Sequence, residues 1–341
     1  MGGELNVGEP IIELENVSIT FTRGSLFKRT RVEAVVHVNL KIHEGEILAL
    51  VGESGCGKTT LGKLIVGVYR PTEGVIRYKG QDIRHLSRDA YREYRRNVQI
   101  VHQDSYAALN PVRTIAQSLS APLLRYRFAR NGHEARVKAA ELLELMGLSP
   151  AGDFLDKYPH QLSGGQRQRV VLARAVALQP KLIVADEPVS MIDVSLRLSI
   201  LDLMRSLNER FGITFLYITH DLATARYFVQ NGRIAVMYLG QLVEQGNLQR
   251  VLETPRHPYL QALLSAVPVP DPKKARHGKP LPLRSLDLPD PTNPPSGCRF
   301  HPRCPYAEEI CARENPPLHL LEGDHYAACH LIERIPVWKP W

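Results

Sequence analysis

The chain reads as an α/β protein on a phosphate-loop core. A mostly parallel sheet with helices on both faces is flanked by an antiparallel β part, a helical insertion and a small proline- and cysteine-rich C-terminal element. Three observations predict this. The apolar run Glu46-Ile47-Leu48-Ala49-Leu50-Val51 leads into Gly52-Glu53-Ser54-Gly55-Cys56-Gly57-Lys58-Thr59 and then into helix-forming residues 60–66. That is the strand–loop–helix context in which a G-x-x-x-x-G-K-[ST] match carries meaning. After residue 166 apolar strands alternate with helical stretches, the rhythm of a parallel sheet covered by its own crossovers. Near residue 255 that rhythm stops and prolines become frequent.

In chain order, residues 11–51 are β-rich: Ile11–Leu14, Val17–Phe21 and Val36–Ile42 carry the alternation of half-buried strands. The basic, glycine-containing stretch 22–32 is expected as a long hairpin tip. In the phosphate loop the glycines let the chain curl without Cβ clashes, and successive N–H groups point inward as an anion nest at a helix N-terminus. Lys58 is expected to bridge the β- and γ-phosphates and the Thr59 hydroxyl to hold Mg²⁺. A helix over 58–69 ends before the turn Pro71-Thr72-Glu73-Gly74, Val75–Tyr78 returns as a strand, and Val98–Val101 is a short strand ending at His102-Gln103. From Asn110 to about Pro159 the pattern is helical, and the insertion is placed at about 104–165. A helix over 166–178, strand Leu182–Ala185, helix 194–210 and strand Thr214–Ile218 then resume the core. The domain expectation is 1–255 for the nucleotide-binding core and 256–341 for the C-terminal extension.

Composition narrows the partners. At 341 residues, 44% hydrophobic and 23% charged, the chain has the make-up of a water-soluble globular protein. No apolar run reaches the ~18 residues of a membrane helix, and residues 1–10 are too polar for a secretory signal. If the protein works at a membrane, other subunits are expected to cross it. The net charge of +8 admits nucleic acid, anionic lipid or polyphosphate. The densest basic stretch, Arg84–Arg96, also holds Asp89 and Glu93 and reads as a mixed helix face.

Two further stretches carry chemistry. Leu182-Ile183-Val184-Ala185-Asp186-Glu187 is an apolar strand delivering two acids beside the phosphate loop. Asp186 is suited to Mg²⁺ through water, and Glu187 to polarising the water that attacks the γ-phosphate. Leu162-Ser163-Gly164-Gly165-Gln166 opens a helix with a second anion nest. With His220 after an apolar strand, these features resemble the nucleotide-binding subunit of an ABC transporter over roughly residues 10–255.

The resemblance implies specific roles. Gly52, Ser54, Gly55, Cys56, Gly57, Lys58, Thr59 and Thr60 would wrap the ATP phosphates. Phe21 would stack on adenine, with Phe27 as rival and core packing as the plain alternative. Gln103 would touch Mg²⁺ and sense the membrane partner, while His220 would contact the γ-phosphate. Ser163, Gly164, Gly165, Gln166 and Asp193 would face ATP held by the opposite subunit. Catalysis would rest on Glu187, His220 and Lys58, and Mg²⁺ on Thr59, Gln103 and Asp186. Pro255-Arg256-His257-Pro258-Tyr259, with Leu263–Pro268, is similar to the tail of oligopeptide and dipeptide importers. Relatives that move nickel or oligosaccharides carry it too. The resemblance implies a second, non-identical ATPase subunit, two membrane permease subunits, a periplasmic or extracellular solute-binding protein, and a peripheral place on the cytoplasmic face of the membrane. A soluble ATPase of the same type acting on nucleic acid would typically show two phosphate loops or a long coiled coil; this chain has one loop and no such coil.

Cys298, Cys304, Cys311 and Cys329 are separated by five, six and seventeen residues. Four thiols in a short element, in the reducing compartment a nucleotide site implies, suggest a metal site. The tight C-x₂₋₄-C knuckle usual for zinc is missing. The wider spacing suits a [4Fe–4S] cluster of structural role, with zinc and free or disulfide-bonded thiols as alternatives. The importer branch resembles this chain in Gly297-Cys298-Arg299-Phe300-His301-Pro302-Arg303-Cys304-Pro305.

Overall fold

The structure, a computed structural model, describes residues 9–25, 28–267 and 281–336; Phe27 lies outside them. Strands β1 (Pro10–Ser25) and β2 (Lys28–His43) pair antiparallel from Pro10↔His43 out to Ser25↔Lys28. Most of the segment expected as a hairpin tip is therefore ladder. Then come β3 (Ile47–Val51), α1 (Lys58–Ile65), β4 (Glu73–Tyr78), β5 (Gln81–Asp82), α2 (Arg88–Asn97) and β6 (Val98–Val101). Strands β2-β1-β4-β5 form a four-stranded antiparallel sheet.

Helices α3 (Ser105–Ala108), α4 (Ile115–Arg125), α5 (Gly132–Leu145) and α6 (Gly152–Leu155) follow. Thr114 and Gln117 close a capping box at the start of α4, and Asn131 caps α5. The core resumes with α7 (Gly164–Val176), β7 (Leu182–Asp186), α8 (Val194–Phe211), β8 (Thr214–Thr219), α9 (Leu222–Val229), β9 (Arg233–Tyr238) and β10 (Gln241–Asn247). The remaining elements are α10 (Leu248–Glu253), α11 (Pro258–Ser265), α12 (Glu309–Arg313), β11 (His319–Glu322) and β12 (His325–Ala327).

The large sheet runs β11-β12-β10-β9-β3-β8-β7-β6, with β6, β7, β8, β3 and β9 mutually parallel. Every residue of β3, β7 and β8 is buried, as near-continuous apolar runs require. Their period-2 alternation divides the interior in two. Ile47, Ala49 and Val51 join the core under α7, α8 and α9, whereas Leu48 and Leu50 join the core under α1 and the antiparallel sheet.

One expectation is corrected. The C-terminal element is not separate from the sheet, because β12 pairs antiparallel with β10 at Glu244↔Ala327, and β11 pairs with β12. The anchor is Glu244, wholly buried. Its carboxylate accepts hydrogen bonds from the backbone N–H groups of Arg256 (2.9 Å) and His257 (2.7 Å) and lies 2.7 Å from His325 Nε2. Phe300 packs edge-on to Tyr238 and Tyr259, centroids 5.3 and 5.6 Å away.

His257 makes this joint sensitive to acid. Its ring is buried and its Nδ1 accepts the Tyr259 N–H at 3.1 Å, starting α11. Burial pushes its pKa down to about 3. Between that value and the ordinary ~6.5 the unfolded chain binds the extra proton, so stability is lost as pH falls through this window. The slope from one such group reaches about 1.4 kcal/mol per pH unit. His257→Asn keeps a capping acceptor and should flatten the plot of urea midpoint against pH over that range. An unaltered slope would assign the acid sensitivity to another group.

Candidate nucleotide site

The site forms where the parallel strands end, the edge at which open α/β sheets bind ligands. β3 is central and feeds the phosphate loop. At its far end Gly57 sits at φ +110° as the residue preceding α1. A Cβ there would lie 2.1 Å from the Ala34 carbonyl oxygen of β2, so only glycine fits. Lys58 is buried, and its Nζ donates to the carbonyl oxygens of Gly52 (2.7 Å) and Glu53 (2.9 Å). The loop borders a cleft of about 380 Å³. Ser54, Gly55, Cys56, Gly57, Lys58, Thr59 and Thr60 line it with Gln103 and Glu187, and Val32–Ala34, Leu239 and Gly240 form a second wall.

The carboxylates arrive from β7. Asp186 is buried and accepts the Thr59 hydroxyl at 3.0 Å. Burial raises its pKa, and the hydrogen bond from Thr59 works against that rise. A hydroxyl and a carboxylate side by side at the mouth of the loop are oxygen donors suited to Mg²⁺. Glu187 turns the chain at φ +46°, a left-handed conformation rare outside glycine, while its N–H donates to the Ile218 carbonyl at 2.9 Å. That turn aims its carboxylate between two neighbours. Gln103 Nε2 donates to Glu187 Oε2 at 3.1 Å, and His220 Nδ1 lies 3.0 Å from Oε1. Three residues from the ends of β6, β7 and β8 thus meet at one carboxylate.

Other expected residues lie elsewhere in the chain. Phe21 does not line the cleft; its ring packs edge-on to Tyr69 at 5.3 Å, and its cross-strand partner Val32 is the lining residue. Ser163, Gly164, Gly165 and Gln166 start α7, away from the cleft lining. Ser163 Oγ accepts the Gln166 N–H at 3.3 Å while Gln166 Oε1 accepts the Ser163 N–H at 3.0 Å. This capping box is the simplest content of an S-x-x-Q start. Asp193 precedes α8, with Met191 and Val194 exposed beside it.

Three arginines were not anticipated. Arg167, read only as a continuation of the helix, is fully buried: it donates to the carbonyls of Pro159 (3.0 Å) and Leu162 (2.7 Å) and stacks 3.3 Å from the Tyr106 ring centroid. It ties the segment after Gln103 to the start of α7. Arg299 and Arg303, from between Cys298 and Cys304, reach the phosphate-loop side of the molecule. Arg299 joins Pro291 and Pro294 in lining the cleft, pairs with Glu33 and donates to the Leu239 carbonyl at 2.6 Å. Nothing local in the sequence marks these contacts; only their position in a cysteine-bearing stretch could have drawn attention.

Cys298, Cys304, Cys311 and Cys329 border one small void with His301 and His330, and all four are free thiols. Burial pushes Cys298 and Cys329 up to about 11 and Cys304 to about 12. As the side chains stand, no group of three or more ligating residues among those described is drawn in tightly enough to hold a metal ion. The donor set, four thiols converging on one void, fits a thiolate-ligated metal centre; the spacing would have to close around it.

A phosphate loop, an acid-ended strand one place beyond its neighbour in the sheet, and a converging glutamine and histidine define an ATP-binding cassette ATPase. The ABC transporter family model matches residues 35–190, and the model for the oligopeptide/dipeptide transporter C-terminal region matches residues 243–311. The oligopeptide transport ATP-binding protein AppF of Bacillus subtilis is 43% identical over 95% of this chain and 98% of its own length. The di/tripeptide transport ATP-binding protein DppF of Pseudomonas aeruginosa is 42% identical over 92% of this chain and 94% of its own. The dimeric ATP-binding cassette MJ0796, solved with ADP and Pi, superposes with a TM-score of 0.60 at 34% identity, over 70% of this chain and 98% of that one. The chain belongs to the ABC transporter ATP-binding proteins, in the branch whose members are named for oligopeptide and dipeptide transport. No helix among the described residues is long and apolar enough to cross a membrane.

Proposed function

We infer that this chain hydrolyses ATP to drive import of di- and oligopeptides, bound peripherally at the cytoplasmic face of the membrane to two permease subunits fed by a solute-binding protein. The observation that carries the catalytic part is the meeting of Gln103, Glu187 and His220 beside the phosphate loop. Lys58 and the loop N–H groups bind the phosphates, and Lys58 exchanges its carbonyl partners for phosphate oxygens. Thr59, Asp186 and the Oε1 of Gln103 would hold Mg²⁺, whose charge would offset that of the phosphates. Glu187 orients the attacking water and takes its proton, and His220 fixes the Glu187 carboxylate and contacts the γ-phosphate. Phe21, with Phe27 as rival, is the aromatic proposed for the base. It would reach it only by leaving Tyr69, because Val32 and not Phe21 lines the cleft as it stands.

Ser163, Gly164, Gly165 and Gln166, with Asp193, serve the ATP of a facing subunit. Their absence from the lining of the chain's own cleft supports that division, as does the exposure of Met191 and Val194. The facing subunit is a homologous but non-identical ATPase. The four cysteines hold a [4Fe–4S] cluster with a structural role, supported by their convergence on one void.

Co-expression with candidate permease and second-ATPase genes from the same genome tests these readings together. The expected result is a complex containing both ATPase chains, with iron and sulfide near four atoms each per copy of this chain and an ATPase rate raised by peptide-loaded binding protein. Zinc in place of iron would overturn the cluster, a homodimer the pairing, and indifference to peptide the cargo.

A further inference from the structure

We propose that Arg303, in the cysteine-bearing segment, is a positioning residue for the phosphate loop, so that the C-terminal element sets the affinity of this chain for ATP. The inference rests on ATP binding at that loop and concerns a contact that no motif of the loop contains.

Arg303 is buried and forms a two-pronged pair with Glu53, the second residue of the loop: Nη1 lies 2.8 Å from Oε2 and Nη2 3.1 Å from Oε1. Such parallel, charge-assisted bonds are the strong and orienting kind. The same residue is held a second time, because the Glu53 N–H donates to the Tyr259 hydroxyl at 2.7 Å. Its third polar group, the carbonyl oxygen, is the one Lys58 Nζ reaches at 2.9 Å. Side chain and N–H of Glu53 are thus fixed by the C-terminal element, and its carbonyl receives the lysine that must meet the phosphates. The Tyr238 hydroxyl lies 3.4 Å from Arg303 Nη1, and the Phe300 ring 5.6 Å from the guanidinium carbon. These neighbours hold the arginine in one orientation. The next residue is Cys304, which borders the void shared by the four thiols.

An anion nest binds phosphate only while its N–H groups point inward together. Releasing Glu53 frees the first turn of the loop, and part of the binding energy is then spent on ordering it. The Arg303 pair performs that ordering in advance. It touches no substrate atom; its effect passes through Glu53 to the loop and to Lys58.

The test compares full-length wild type, Arg303→Ala, Arg303→Lys, Glu53→Gln and the double variant Glu53→Gln/Arg303→Ala. Kd for Mg-ATP and the ligand-free melting temperature are measured on each chain, and KM and kcat on each in complex with the facing ATPase and the permease subunits. We expect Arg303→Ala to raise Kd and KM about tenfold, the loss of a hydrogen-bonded charge pair, with kcat changed less than threefold. Arg303→Lys, which keeps the charge without the fork, should fall between. The double variant should bind ATP no more weakly than either single one, because both remove the same contact. Arg303→Ala with wild-type Kd and KM and only a lower melting temperature would overturn the proposal, as would additive losses in the double variant. Wild-type protein that itself fails to bind Mg-ATP would instead remove the nucleotide reading on which this one stands.

Discussion

Replacing Glu187 by Gln is expected to cut ATP turnover by about 10²–10⁴-fold, the range for loss of a general base, while ATP binding persists. The amide keeps the size of the side chain and one carbonyl acceptor, so either Gln103 Nε2 or His220 Nδ1 can still be satisfied. It cannot accept a proton from water. Because hydrolysis stops and the γ-phosphate stays, subunits bridged through it should accumulate in the closed state. Gel filtration with Mg-ATP should show the variant as a stable dimer with the facing ATPase subunit proposed above, at concentrations where wild type dissociates. Turnover at the native rate would mean that Glu187 is not the base.

The second large effect is expected at Lys58. Lys58→Ala removes the one ammonium group of the loop and leaves the carbonyls of Gly52 and Glu53, now its acceptors at 2.7 and 2.9 Å, facing the phosphate region. Two carbonyl dipoles left without their donor oppose a polyphosphate that the lysine would have attracted. Truncating one partner of a buried charge contact typically costs 2–5 kcal/mol, a weakening of roughly 30- to 5,000-fold in Kd. Equilibrium binding of a fluorescent ATP analogue measures it directly. Affinity within threefold of wild type would show that the N–H nest alone carries the phosphates.

The nucleotide site was legible where chemistry and sequence coincide locally. The phosphate loop needs its strand before it and its helix after it, so eight consecutive residues announce both the turn and its ligand. Asp186-Glu187 were legible because a carboxylate pair at the end of a fully apolar strand has few structural reasons to exist. The β1–β2 ladder beyond Thr22 was not legible: a basic stretch held by backbone pairing carries no apolar alternation. β11 and β12 escaped for a related reason, since their short sequences His319–Glu322 and His325–Ala327 show no period long enough to read. Their attachment depends on Glu244, whose buried carboxylate looks in sequence like any surface acid. Arg167 and Arg303 were hidden differently. Arginine is normally solvated, and only the fold reveals carbonyls, a tyrosine ring or a distant glutamate waiting for it.

The brace on Glu53 has a consequence for how the molecule comes into being. Residues 53 and 303 lie 250 positions apart, and a ribosome adding roughly 5–20 residues per second leaves a pause of many seconds between them. During that interval β8 and β9, the strands that flank β3, are added and the phosphate loop can settle at its edge, but the clasp on Glu53 has not yet been made. With the brace proposed above, full affinity for ATP arrives only after residue 303 has been added, and a product truncated before it is expected to bind ATP about tenfold more weakly.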